Sequence, residues 1–322
     1  MAARAVCLLV ALATAVIAAP AHAQTFPDRP IRLIVPAGPG GPTDLPARLV
    51  SQILPKLGQP AVVENRAGAG GAIGARAVMT AAPDGYTLLV GNTSVLAVFP
   101  AVSASAGYDP AKNFAPVAKV SESYQILVVP ASSAFTSVRE LVAHAKAHPG
   151  KLNIAHTGSG GLPHLTVELF KSLAGIDIVG VPYKSGGEAV TGVLAGQVDM
   201  TFEGITILLP LIREGRLRAL AVTSRARTLL APDLPTMVEA GIADYEVTTF
   251  NGVVAPAGTP PGIVTTLNAA INEGLQTAET QGFLHKLGAV SHAMSPGEFG
   301  TFIAAENRKW SALAQASGIR ID

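Results

Sequence analysis

The strongest constraint on the fold is a repeated alternation of short β-branched runs with stretches of helical periodicity. The predicted strands are Ile31–Val35, Ala61–Glu64, Tyr86–Val90, Ile126–Val129, Leu152–Ala155, Ile178–Val181, Val198–Phe202 and Leu217–Thr223. Predicted helices lie between them, among them Thr43–Leu57, Gly71–Ala81 and Val138–His148. Alternation at this spacing is typical of parallel sheets covered by helices. The sequence therefore predicts the α/β class, with no internal repeat beyond the alternation itself.

Two breaks in the alternation predict that the chain crosses twice between two such sheets. The turn-rich segment Tyr108–Val120 interrupts the pattern, and we place the first crossing near Gln125. A second turn-rich segment is followed by the extended run Glu246–Ala255, which we interpret as the return of the chain to the first sheet. Two C-terminal helices then complete that part of the molecule, at about Pro261–Gly274 and Pro296–Ala316.

The predicted organisation is a pair of lobes joined by a two-strand hinge, each lobe a mainly parallel sheet flanked by helices. A chain of 322 residues is long enough for two hydrophobic cores. Lobe 1 is predicted to comprise residues 24–125 and 251–322, and lobe 2 residues 126–250.

The N-terminal segment has the pattern of a removable signal peptide. Arg4 supplies a positive charge, Ala5–Ala19 is apolar, and the small residues Ala21 and Ala23 fit the A-x-A cleavage pattern. A buried N-terminal helix is the alternative, but such a helix would show amphipathic spacing. Residues 1–23 are therefore predicted to direct export and to be removed. The predicted location is the periplasm of a Gram-negative bacterium.

Cysteine and charge content exclude several classes of function. Cys7, the only cysteine, lies inside the apolar run, so the mature chain would lack a lipid anchor, disulfides, thiol nucleophiles and cysteine-bound metals. Removal of Arg4 reduces the 23 basic residues to 22, which balance 22 acidic ones. A neutral chain lacks the basic surface that nucleic acid requires. We predict no nucleic-acid partner, no cofactor and, since no later apolar run is long enough, no transmembrane helix.

Four glycine-rich turns, each between a predicted strand and a predicted helix, are the most informative motifs. They are Val35–Asp44, Asn65–Gly71, Thr157–Gly161 and Tyr183–Gly187, two in each predicted lobe. Glycine lets a ligand approach the backbone closely, and a helix start offers unpaired N–H groups and the positive end of the helix dipole. Such turns form anion sites without a basic side chain. Because α/β folds bind ligands at this edge of the sheet, the four turns predict one shared anion site.

Nucleotide, hydrolase and metal sites are weaker interpretations. Ile73 occupies a glycine position of the dinucleotide motif, and no P-loop is present. Ser159 is a possible nucleophile, but Thr157 replaces the first glycine of a G-x-S-x-G elbow. His164 is more simply a first-turn helix residue than a catalytic base, and the remaining histidines are scattered.

Three charged residues lie at the predicted turns, and two of them have both a structural and a functional interpretation. Asp44 is most simply a first-turn residue that complements the helix dipole. Lys184 is either a solvated lysine or a cation that attracts a carboxylate. Glu203 is either a solvated turn acid or an acceptor for a ligand amine or hydroxyl.

The sequence resembles, over essentially the whole mature chain, the extracytoplasmic solute receptors of the tripartite tricarboxylate transporter type, the Bug family. Many collinear motifs carry this resemblance: Phe26–Pro36, Pro39–Asp44, Val63–Arg66, Gly68–Gly71, Pro83–Leu88, Pro149–Asn153, Val181–Lys184, Arg218–Thr223, Leu234–Thr236 and Ala255–Pro260. The resemblance implies a two-lobed Venus flytrap, not an enzyme, that captures a small carboxylate and delivers it to inner-membrane permease subunits. Family ligands include di- and tricarboxylates, acidic amino acids and aromatic acids.

The resemblance also implies a set of ligand contacts, made mainly by backbone amides, small hydroxyls and bridging waters. In lobe 1 these are Ala37, Pro39, Gly40, Gly41, Thr43, Asp44, Ala69, Gly70, Asn92, Thr93 and Ser94. In lobe 2 they are Thr157, Gly158, Ser159, Gly160, His164, Lys184 and Glu203.

Four positions depart from the family pattern, and all lie at the predicted site. Ala37 replaces an aromatic residue, Gly180 a histidine, Gly161 a serine, and Glu203 an aspartate or small residue. We therefore expect receptor function with an altered ligand. We also expect this receptor to be a monomer. A binding protein that feeds a sensor instead of a permease stays open as an alternative, and an exported α/β hydrolase using Ser159 or Ser94 is a weaker one.

Overall fold

The computed structural model describes residues 26–158 and 161–320, so the predicted signal peptide, residues 1–23, lies outside the described part. The strands are β1 Ile31–Val35, β2 Ala61–Asn65, β3 Thr87–Asn92, β4 Phe114–Pro130, β5 Asn153–Thr157, β6 Val179–Tyr183, β7 Met200–Gly204, β8 Leu217–Val222, β9 Thr248–Pro256 and β10 Ala289–Val290. The helices are α1 Asp44–Ile53, α2 Ala72–Met79, α3 Phe99–Val102, α4 Pro110–Asn113, α5 Val138–Ala147, α6 Leu162–Ala174, α7 Gly186–Leu194, α8 Ile205–Arg213, α9 Pro261–Leu275, α10 Ala278–Lys286 and α11 Pro296–Ser317. None of the helices in these two ranges is long and apolar enough to span a bilayer.

Local sequence determines where the longer helices begin and end. Ser295 and Glu298 form a reciprocal capping box at the start of α11, and Gly318 ends that helix in the left-handed conformation. Ser137 caps α5 by accepting a hydrogen bond from the backbone N–H of Glu140 at 3.2 Å. These caps satisfy backbone groups that the helix itself leaves unpaired.

The two sheets share one strand order. In the first sheet β1 pairs in parallel with both β2 and β3, and in the second β5 pairs in parallel with both β6 and β7. Each unit is a strand, helix, strand, helix and strand, with the first strand in the middle. Helices and parallel strands of this kind confirm the predicted α/β class. The topological repeat is visible only in the structure, because the sequence shows no repeat.

Two long antiparallel strands connect these parallel units. The first half of β4 pairs with β9 from Phe114↔Pro256 to Tyr124↔Thr248, and its second half pairs with β7 and β8. β9 in turn pairs with β3, so the full order is β2-β1-β3-β9-β4-β7-β5-β6. The first crossing is therefore a single continuous strand, β4, whereas β9 begins at Thr248 and pairs with β3 and β4 of the first sheet. Both sheets are mixed rather than purely parallel.

The segment Tyr108–Val120, which we expected to interrupt the alternation, is regular from Pro110 onward, because it contains α4 and the first residues of β4. β4 begins at Phe114, twelve residues before the strand predicted from Ile126. Pro116 obscured this strand, since proline cannot donate a ladder hydrogen bond. The structure accommodates it at a register shift between Pro116 and Ala118.

The C-terminal helix packs against both sheets. Phe299 and Ile303 of α11 belong to a cluster with Phe250 of β9, and Trp310 further along the helix belongs to a second cluster. That second cluster also contains Leu127, Phe170 and Tyr245. α11 therefore packs into both hydrophobic clusters. The lobe boundaries stay a prediction.

We expect Trp310→Ala to lower the free energy of unfolding by about 3–5 kcal/mol. The Trp310 side chain is fully buried, and its Nε1–H donates a 2.9 Å hydrogen bond to Glu306 that the variant loses. Urea unfolding followed by circular dichroism measures the change. Leu229→Ala is the control, because that leucine is 80% exposed and should change stability by less than about 0.5 kcal/mol. Equal losses in the two variants would contradict the packing described here.

Candidate ligand-binding site

The strand order creates a topological switch point in each sheet. After β1 the chain forms β2 on one side of that strand and then β3 on its other side. The carboxyl ends of β1 and β3 therefore flank a crevice. The same holds for β5 and β7 in the second sheet. The predicted glycine-rich turns after β1 and β5 start at these two points, and the turns after β2 and β6 lie beside them.

Asp44 organises the turn that follows β1. Its carboxylate accepts hydrogen bonds from the backbone N–H of Gly40 at 2.9 Å, from Nε of Arg48 at 2.6 Å and from Nδ2 of Asn65 at 2.8 Å. Burial alone would raise the pKa of Asp44, but these hydrogen bonds outweigh it and lower the pKa. Asp44 is thus a fully engaged anion at the start of α1, as its first-turn position suggested.

Asn92 and Thr93 connect the end of β3 to its surroundings. Asn92 donates from Nδ2 to Oγ1 of Thr43 at 2.8 Å and accepts from the backbone N–H of Val95 at 3.0 Å. The buried Thr93 hydroxyl accepts from the backbone N–H of Phe250 at 2.7 Å. The Thr93 side chain therefore holds β9, while Asn92 lies at the turn after β1 and Ser94 stays half-buried beside it.

The turn before α2 runs through four consecutive residues with positive φ. These are Gly68 at 124°, Ala69 at 48°, Gly70 at 64° and Gly71 at 94°. A side chain at position 71 would lie 2.5 Å from Val95, so this turn needs glycine for close approach as well as for conformation. Its packing on Val95 brings the predicted Ala69 and Gly70 to the switch point of the first sheet.

Two histidines, one from β5 and one from α6, stack at the second switch point. The ring of His156, the penultimate residue of β5, stacks on the ring of His164 with centroids 4.5 Å apart. Burial lowers the pKa of both imidazoles, and their mutual repulsion lowers that of His156 further. The pair is therefore a neutral, polar surface at pH 7. A Cβ at Gly180 would lie 3.2 Å from the His156 ring, so His156 fills the space beside Gly180.

Glu203 lies at the carboxyl end of β7. Thr157 and Glu203 each follow the last pair of the β5–β7 register, Ala155↔Thr201, by two residues. The carboxylate of Glu203 packs against Gly186, the first residue of α7, where a Cβ would lie 2.7 Å from Oε2. Its hydrogen bond from the backbone N–H of Gly204 is long, at 3.3 Å. Burial raises the pKa of Glu203, and that hydrogen bond opposes the rise only in part.

The other predicted contacts lie near these groups. Ala37 accepts a 3.0 Å hydrogen bond from Asn65 through its carbonyl. Pro39 and Gly40 are exposed, Gly41 is half-buried, and Gly158 is exposed at the end of the second turn. Lys184 is exposed, and its backbone N–H donates to Glu188 at 3.3 Å. Ser159 and Gly160 lie outside the described residues.

The segments that leave the two switch points share one hydrophobic core. Ala97 and Val98, which follow the Asn92–Ser94 turn, belong to the same cluster as Leu162 and Leu165 at the start of α6. In addition, a Cβ at Gly288, in predicted lobe 1, would lie 2.6 Å from Thr206, three residues after Glu203. Elements of the two predicted lobes therefore contact each other in two places.

Sequence reasoning missed three residues of this region: Arg48, Asn65 and His156. Arg48 and Asn65 hold Asp44 in place, and His156 supplies the second ring of the stacked pair. The i,i+4 spacing of Asp44 and Arg48, and the position of His156 just before a glycine-rich turn, were the available indications. Within the two described ranges, no three acidic, histidine or cysteine side chains are grouped as a metal site would require.

We expect Asp44→Asn to lower the free energy of unfolding at pH 7 by about 1–3 kcal/mol, because three hydrogen bonds to a buried charge are weakened. Since the pKa of Asp44 is lowered on folding, its contribution is present above the unfolded value of about 3.9 and is lost as the pH falls through the folded value. The difference between wild type and variant should therefore shrink in strong acid. Urea unfolding at several pH values measures it, with the exposed Asp233→Asn as control. A deficit that persisted undiminished at pH 2 would contradict this role.

Glu203→Gln should have the opposite pH dependence in the ligand-free protein. Because burial raises the pKa of Glu203, the wild type is most stable relative to the variant below the unfolded pKa of about 4.3, and it loses that advantage as pH rises through the folded value. The variant should therefore melt at a higher temperature at pH 7, and its gain should disappear toward pH 4. Glu214→Gln at the far end of α8, where the side chain is 58% exposed, is the control. A lower melting temperature for Glu203→Gln at pH 7 would show that an unseen partner stabilises the carboxylate.

Comparison with known proteins agrees with this architecture. The sequence model of the tripartite tricarboxylate transporter family receptor, TctC, matches residues 47–319. Protein BugT of Bordetella pertussis is 40% identical over 312 residues, covering 96% of each chain. Rpa4515 of R. palustris, solved with adipate, is 35% identical with a TM-score of 0.74, covering 92% of this chain and 99% of that one. MatC of Rhodopseudomonas palustris, solved with bound malate, is 34% identical with a TM-score of 0.70, covering 89% and 99%.

A family match over most of the chain, together with full-length relatives above 30% identity, confirms the resemblance drawn from the motifs. The two-lobed fold class is likewise confirmed by solved binding proteins that cover about nine-tenths of this chain. The chain belongs to the TctC family of tripartite tricarboxylate transporter receptors, which are periplasmic solute-binding proteins and not enzymes.

Proposed function

We propose that this receptor captures a small carboxylate between its two switch points and delivers it to permease subunits of the tripartite tricarboxylate type. The observation that carries the proposal is the matching pair of switch points, each lined by glycine-rich turns at helix starts. Ligands of solved relatives support it, since one holds adipate and another malate. Both ligands are dicarboxylates, and the proposed capture of such a ligand involves no covalent step.

The proposed contacts combine backbone donors with small polar side chains. The starts of α1, α2, α6 and α7 present N–H groups that the helices leave unpaired. Asn92 and Ser94 in one sheet, and Thr157 and the neutral His164 in the other, supply further hydrogen bonds. Closure follows as a population shift, because a ligand that contacts both lobes favours the closed arrangement.

Export and membrane delivery are parts of the same proposal. Residues 1–23 would direct secretion and be removed, which would leave a receptor free to diffuse in the periplasm as a monomer. Uptake of labelled ligand in a deletion strain tests the transport role, and loss of a reporter response without loss of uptake would point to sensing instead.

The binding part of the proposal is tested by thermal shift. Mature protein is unfolded and refolded to remove retained ligand, then heated with a panel of di- and tricarboxylates, acidic amino acids and aromatic acids. A ligand at a hundred times its Kd stabilises the native state by about 2.7 kcal/mol, so we expect a rise in Tm of about 5 °C for at least one of them. Each acid is paired with its neutral amide, such as succinate with succinamide, which should give no shift. If no carboxylate raises the Tm, the proposal fails.

A further inference from the structure

Glu203 lacks the cationic partner that several other shielded acids have. The carboxylate of Glu122 forms an ion pair with Nζ of Lys119 at 2.6 Å. Glu168 pairs in the same way with Lys171 at 2.7 Å, and Glu306 with Lys309. Asp44, the acid of the first switch point, is paired with Arg48. Among the side chains of residues 26–158 and 161–320, no lysine or arginine forms an ion pair with Glu203.

The surroundings of Glu203 nevertheless place it where a ligand would bind. Its carboxylate lies against the first residue of α7, and α8 begins two residues after it. Two helix N-termini favour the anionic form, although they do not replace a cation. Glu203 lies at the carboxyl end of β7, and Thr157 at that of the neighbouring strand β5, so Glu203 forms part of the second switch point.

The other titratable groups at this switch point do not neutralise it. Burial keeps the imidazoles of His156 and His164 neutral near pH 7. Lys184 belongs to the adjacent turn, but its side chain is exposed to solvent. The second switch point therefore carries a net negative charge, in a receptor whose other turns are built to attract anions.

A negative group inside an anion site is a specificity element. It repels a carboxylate placed next to it, and it attracts a cationic donor placed there. A ligand that has a carboxylate at one end and an ammonium group a short distance away would satisfy the glycine-rich turns and Glu203 together. A plain carboxylate would leave Glu203 without a partner and lose affinity.

We propose that Glu203 accepts a charge-assisted hydrogen bond from a ligand ammonium group, so that the receptor selects zwitterionic α-amino acids over the same acids without the amino group. This inference rests on the carboxylate-binding function proposed above and specifies its ligand class. Glu203 contacts the ligand directly, and Gly186 is the positioning residue, since any larger side chain there would displace the carboxylate.

The test uses isothermal titration with matched ligand pairs that differ only in the amino group: aspartate with succinate, glutamate with glutarate, and alanine with propionate. For the wild type we expect the preferred amino acid to bind at least tenfold more tightly than its partner. In Glu203→Gln that preference should fall at least tenfold, through weaker binding of the amino acid and equal or tighter binding of the plain acid. Glu214→Gln, which removes the same charge at the far end of α8, should leave the preference unchanged.

Glu203→Asp covers the case in which the glutamine variant does not fold. It keeps the charge on a shorter side chain, so it should retain the preference for amino acids with weaker binding overall. Tighter wild-type binding of the plain acids, or equal weakening of both members of each pair in Glu203→Gln, would overturn the inference. Binding of plain acids alone would leave the proposed function standing, whereas failure of every carboxylate to bind would remove both.

Discussion

The pairing of β4 with β9 is the interaction on which the rest of the structure depends. The two strands pair along the first sheet, and the second half of β4 continues into the second sheet, where it pairs with β7 and β8. The Thr93 hydroxyl holds β9 in register with the turn that carries Asn92. A switch-point turn in the first sheet is thereby tied directly to β9, the strand that pairs with β4. Asn92, a predicted ligand contact, and this strand pair share one hydrogen-bonded network.

The two halves have the same topology but differ in electrostatics. In the first, the buried acid Asp44 is neutralised by Arg48 and holds a rigid turn. In the second, Glu203 is left with one long backbone hydrogen bond. Asp44 follows the first strand of its unit, whereas Glu203 lies at the end of the third strand of the other, so the two acids occupy different positions in the repeated framework. The first supplies structure, and the role proposed for the second is chemical selectivity.

The sequence predicted those strands and turns that are marked by residues close to them in the chain. The runs that became β1, β2 and β5 are bounded by turn residues, and the glycine-rich turns fell at helix starts as expected. The first half of β4 escaped prediction because Pro116 cannot donate a ladder hydrogen bond, and β4 accommodates it beside an extra residue of its own, Val117, where the register with β9 shifts. The contact between Glu203 and Gly186 joins residues 17 positions apart through packing of α7 on β7, and periodicity contains no information about it. The stacking of His156 on His164 depends likewise on how α6 crosses the sheet.

The central position of β9 has a consequence for how the molecule is made. This strand lies between β3 and β4, yet it is formed by residues 248–256, long after both of its neighbours have been synthesised. Until it arrives, β3 and the first half of β4 each have an open edge, and the sheet of the first lobe has a gap at its centre. The second sheet has a similar gap between β4 and β5 until β7, residues 200–204, is made, but that strand follows soon after β5. A chain synthesised from its N-terminus can therefore complete the second sheet first, and the first sheet becomes complete only when residues 248–256 have been made.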